Sequence, residues 1–135
     1  MAKKANKISL EIQSKIKEKV DAFNQKHLTK VRAKYTPRIS GKFIYLDRMV
    51  TAGNGKICRL IFDGDLENMD FAIYKYSTET YDPKCWLFPG QTYVDGTLEG
   101  AMQAGLEAYP IKDENWITLK LFRILTKFFL KNYIK

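Results

Sequence analysis

The chain has 135 residues, enough for one hydrophobic core and short for two. Its composition, 45% hydrophobic and 28% charged, excludes a disordered chain. Two cysteines exclude a dense disulfide framework or a four-cysteine zinc site, and a single histidine excludes every two-histidine metal motif. No apolar run approaches the roughly 18 residues of a membrane span, and no apolar h-region follows the N-terminal lysines. A secretory signal is therefore not expected, and the sequence points to a cytoplasmic protein with reduced thiols.

The net charge of +8 is unevenly spread: +9 over residues 1–42, −6 over 43–116 and +5 over 117–135. Basic ends around an acidic middle hint at a polyanionic partner, or at basic terminal helices packed on an acidic centre.

In chain order, residues 1–8 read as a flexible basic tail ahead of one domain over 9–135. A first helix is expected from Ser9 to Leu28. Ser9 suits the N-cap and Glu11 the first turn, and Ile12, Ile16, Val20, Phe23 and His27 recur on one face. Thr36-Pro37 is expected to break the chain. Lys42–Val50 and Lys56–Phe62 read as strands, joined by a hairpin turn at Ala52-Gly53-Asn54-Gly55, where Asn-Gly tolerates positive φ. Phe71–Ser77 is a third strand after the polar turn from Asp63 to Asn68, and Cys85–Phe88 a short fourth.

A second helix is expected from Asp95 or Thr97 to Tyr109, stopped by Pro110. Leu98, Met102, Leu106 and Tyr109 form its large apolar face. Ala101, Ala104, Gly105 and Ala108 form a small-residue stripe suited to a close approach. A last helix from Asp113 to Tyr133 carries a narrow basic stripe, Lys120, Arg123, Lys127 and Lys131, inside an unusually wide apolar arc. The expected fold is α+β: an N-terminal helix, an antiparallel meander of three to four strands, and two C-terminal helices packed on the sheet.

Catalytic motifs are thin. His27 has no identifiable partner for acid–base work. Cys58 alternates with Leu60 and Phe62 and reads as core, and Cys85 beside Trp86 reads as more exposed. Asp63, Asp65, Glu67 and Asp70 depart from a calcium loop, because its sixth position is Asn68 and its twelfth Tyr74. They remain the only carboxylate set for an enzyme reading. Val94-Asp95-Gly96-Thr97-Leu98 resembles part of the haloacid dehalogenase phosphatase signature. The nucleophile position of that family is Tyr93 here, so a helix N-cap explains the segment better. There is no Gly-rich phosphate loop and no nucleophile elbow. No catalytic residue, metal or cofactor is expected.

The remaining signals are charge and aromaticity. Lys15, Lys19, Lys26, Lys30, Arg32, Lys34, Arg38 and Lys42, with Lys120, Arg123, Lys127 and Lys131, are the candidate polyanion contacts. Tyr45, Tyr74 and Tyr76 are the candidate aromatic contacts, because tyrosines bordered by lysines on a sheet can stack single-stranded bases. The first expectation is a non-catalytic binding module for nucleic acid or another polyanion. With lysines outnumbering arginines 18 to 5, base-specific reading is not expected. The alternative is a protein-interaction or homo-oligomeric module using the last helix. The third is peripheral membrane contact through that helix.

Overall fold

The computed structural model describes residues 7–51 and 53–111. These form an α+β fold with an N-terminal helix, a five-stranded antiparallel sheet and a C-terminal helix. In chain order they are α1 (Leu10–His27), β1 (Ala33–Ser40), β2 (Phe43–Val50), β3 (Gly53–Ile61), β4 (Asp70–Lys75), β5 (Thr80–Asp82) and α2 (Leu98–Ala108). The strands are hydrogen-bonded in sequence order, a simple meander. The expected last helix over Asp113–Tyr133 lies outside the described residues. No helix among those residues is long and apolar enough to cross a membrane.

Both helices begin as their sequences dictate. Ser9 Oγ accepts from the Ile12 N–H, and Thr97 Oγ1 accepts from the Gly100 N–H, so each satisfies one of the donors a helix start leaves unpaired. Helix α1 buries Ile16, Val20 and Phe23. His27 does not join them. It is exposed, with its ring tilted on Phe23 at 4.4 Å between centres. Ile8, expected at the end of the tail, is buried, and its N–H donates to the Gly41 carbonyl.

The sheet has five strands rather than three to four, and the extra one ahead of Lys42 runs straight through Thr36-Pro37. Its register with β2 explains this. Tyr35 turns its N–H and C=O away from β2, to the Asn24 side-chain amide at 2.8 and 2.9 Å. Pro37, two residues on, faces the same free edge, where a missing N–H breaks no ladder bond. The turn between β2 and β3 is also displaced from its expected place. Val50 already pairs with Gly53, and Asn54 and Gly55 pair with Met49 and Arg48. A β-bulge restores the later register: Leu46 faces Cys58 but Asp47 faces Lys56, leaving Ile57 extra. The fifth strand is Thr80–Asp82, after a turn in which Glu79 takes φ +56°. Cys85–Phe88 is loop, not a strand.

Helices α1 and α2 cover one face of the sheet, here the inner face. Tyr35, Ile44, Leu46, Cys58, Leu60, Phe71 and Ile73 point there and are buried with Leu98, Ala101 and Met102 of α2. The Cys58 thiol, fully enclosed, is pushed well up by desolvation. Cys85 is also a free thiol.

Candidate functional site on the outer face of the sheet

Among the described residues no helix packs on the other face. Cross-strand pairs assign its side chains. Arg38 faces Tyr45, Tyr45 faces Arg59, Asp47 faces Lys56, Phe43 faces Ile61, and Tyr74 faces Tyr81. Period-2 alternation then brings the aromatic residues of three strands into one cluster. Ring centres of Tyr45 and Tyr81 lie 5.2 Å apart, Tyr74 and Tyr81 4.8 Å, Tyr74 and Tyr76 4.8 Å, and Phe43 and Tyr45 6.1 Å.

Cations sit over these rings. The Arg38 guanidinium carbon lies 4.4 Å from the Tyr45 centre. That of Arg59 lies 5.0 Å from Phe43 and 5.6 Å from Tyr81. Lys56 Nζ is 5.3 Å from Tyr74, and Lys42 Nζ is 6.0 Å from Phe43. One carboxylate lies at the centre. Asp47 is buried and takes both arms of Arg38, from Nε at 3.1 Å and Nη2 at 3.4 Å, which raises the Arg38 pKa further. Desolvation pushes the Tyr81 phenol up to about 12, with the Arg38 guanidinium pulling against it. The Tyr81 Oη and Arg59 Nε are buried with no hydrogen-bond partner among the described residues.

The three expected aromatic residues are thus brought together, in unequal roles. Tyr45 is half-buried on the face. Tyr76 is exposed at its margin, donates to the Lys56 carbonyl at 2.7 Å, and meets Tyr109 edge-on. Tyr74 is only 6% exposed and forms the floor under its neighbours. The basic residues are divided. Lys15, Lys19 and Lys26 lie on α1, across the sheet. Lys15 pairs with Glu11 at 4.0 Å, and Lys19 with Glu67 and Glu99 at 3.7 and 3.6 Å. Lys30 and Arg32 precede β1. Lys34, Arg38 and Lys42 belong to the outer face or its rim. Lys120, Arg123, Lys127 and Lys131 lie outside the described residues. Phe43, Lys56, Arg59 and Tyr81 complete the cluster and were not among the expected contacts.

The loop carboxylates do not converge on a metal site. Asp65 Oδ1 accepts from the Glu67 N–H, Glu67 pairs with Lys19, and no three His, Cys, Asp or Glu among the described residues come together as a metal site. Asp95 Oδ1 accepts from the N–H and Oγ1 of Thr97, so the Asp-Gly-Thr-Leu segment is a helix start. No family model, curated protein or solved structure matches the chain.

Proposed function

We propose that this chain is a non-catalytic binding module that holds single-stranded nucleic acid across the outer face of its sheet. The observation that supports it is the clustering of Phe43, Tyr45 and Tyr81 with Arg38, Arg59, Lys42 and Lys56 on a face that carries no helix among the described residues. Aromatic rings and guanidinium planes are the surfaces on which unstacked bases lie, whatever their identity. Flanking lysines neutralise phosphates and fix the strand's position without reading its sequence. A duplex keeps its bases stacked on one another, so the face favours single strands.

Arg38 is already neutralised by Asp47. Lys34, Lys42, Lys56 and Arg59 are left for phosphates. Four contacts give a logarithmic salt slope near −3, so affinity falls about 50-fold between about 50 and 200 mM salt. Fluorescence anisotropy of the full chain with labelled single-stranded and duplex oligonucleotides tests this. Single-strand preference with that slope supports the reading, and no binding at the lower salt contradicts it.

The alternative, a protein-interaction or homo-oligomeric module, draws support from Trp86 and Leu87, which are 54% and 91% exposed side by side. Its signature is a mass that rises with concentration.

A further inference from the structure

The outer face continues past Tyr81. Arg59 crosses β4 over Ala72, its partner in the β3–β4 register, whose small side chain leaves the path open. Arg59 then forms one wall of a cavity of about 370 Å³, within the usual range for a ligand pocket. This cavity exists because β5 is short. It pairs with β4 from Ile73 to Lys75 only, so Asp70–Ala72 have no strand on that side. The chain after β5 passes there instead. It is tied by the Met69 N–H donating to the Gly96 carbonyl at 2.9 Å and by Phe88 stacking on Phe71 at 5.9 Å. Anchored in this way, the loop leaves Trp86 exposed at the cavity wall. Asp70 also lines the cavity. It is exposed and has no ion pair or side-chain hydrogen bond among the described residues.

We propose that this cavity takes one base, unstacked from a strand on the outer face, and that Asp70 makes guanine the preferred one. The inference rests on the reading of that face as a single-strand surface. The Trp86 indole and the Arg59 guanidinium are flat surfaces on which a base stacks. An ionised carboxylate has two acceptor oxygens and no donor. Guanine presents two adjacent donors, N1–H and the 2-amino group, on its Watson–Crick edge. Adenine and cytosine set a ring acceptor beside their amine, and uracil flanks one N–H with carbonyl oxygens, so each turns a lone pair toward Asp70. The positive charge of Arg59 offsets the carboxylate's repulsion of the strand.

Anisotropy titrations of the full chain with uridine oligomers of about eight nucleotides, carrying one central guanine, inosine or adenine, test this. Guanine should tighten binding about tenfold over uridine alone, the discrimination a bidentate pair supplies. Inosine, lacking the 2-amino group, should gain less, and adenine nothing. In Asp70→Asn the guanine preference should vanish while uridine oligomers still bind, and Trp86→Ala should weaken the guanine oligomer more than the uridine one. If uridine oligomers bind and guanine adds nothing, or its preference survives Asp70→Asn, the pocket assignment is overturned and the outer-face reading stands. If no oligomer binds at about 50 mM salt, both fall.

Discussion

Arg48 holds the end of α2 to the sheet. It has the same strand parity as Ile44 and Leu46 and is buried beside them, 6% exposed. Its charge meets no carboxylate among the described residues. Nη1 donates to the Gly105 carbonyl at 3.3 Å and to Tyr35 Oη at 3.4 Å, and Nη2 donates to the Tyr109 carbonyl. The last turn of a helix carries the negative end of the helix dipole, which favours a guanidinium there, and the Gly105 carbonyl accepts from Arg48 in addition to the Tyr109 N–H. Tyr35 Oη completes the set by donating to the Met102 carbonyl at 2.7 Å. Arg48→Met removes its hydrogen bonds to the part-buried Tyr109 carbonyl and to Tyr35, and should cost about 1–3 kcal/mol in urea denaturation. A loss below about 0.5 kcal/mol would show that water replaces it.

Tyr81 behaves differently, because its Oη is buried unpartnered. Tyr81→Phe is expected to leave stability at neutral pH within about 1 kcal/mol of wild type, or slightly above it. Its effect appears in alkali. Burial raises the Tyr35, Tyr76, Tyr81 and Tyr109 phenols above their ordinary 10.0, Tyr81 to about 12. The unfolded chain then releases these protons before the folded one does. Their contribution to stability is complete below pH 10 and lost as pH rises through the folded values. Denaturation midpoints should fall steadily above about pH 10, less steeply in Tyr81→Phe. An identical slope in the variant would contradict the assignment.

At the scale of elements, α2 packs through its small residues. A Cβ on Gly105 would stand 2.5 Å from both Ile57 Cγ2 and Tyr35 Oη. Gly105→Ala gains roughly 1 kcal/mol of helix propensity but must displace the bulge residue and the phenol, so a net loss of about 1–2 kcal/mol is expected in thermal or urea unfolding. Net stabilisation would mean that Ile57 and Tyr35 yield freely. The stripe of Ala101, Ala104 and Gly105 announced such a close approach in sequence. Three features did not announce themselves. A proline in an edge strand looks like a chain break until the direction of its missing N–H is known. The Asn-Gly pair looks like the turn although both residues already pair with β2. The bulge at Ile57 inverts the apparent parity of Lys56, which unbroken alternation places with Cys58 on the inner face. The candidate site was legible in the same measure. Alternation put Tyr45 and Tyr74 on the sheet, whereas Tyr76, expected in a strand running to Ser77, lies in the turn just past β4. Arg38 could not be placed beside Tyr45 without β1, nor Tyr81 beside Tyr74 without a three-residue strand that no glycine or asparagine turn introduces.

For the whole molecule, the fold separates charges that lie close in sequence. Lys19 of α1 pairs on the helix-covered side with acidic partners in the β3–β4 turn and α2, whereas Lys42, Lys56 and Arg59 gather around aromatic rings on the opposite face. A basic N-terminal third therefore does not act as one patch, and Lys26→Glu should weaken single-strand binding far less than Lys56→Glu in the same anisotropy assay. The most direct test of the account is an amide chemical-shift titration of the full chain with a short single-stranded oligonucleotide. The largest changes should fall on Phe43, Tyr45, Arg59 and Tyr81, with α1 nearly unmoved. Shifts concentrated on α1 and α2, or none at saturating oligonucleotide, would contradict the outer face as the binding surface.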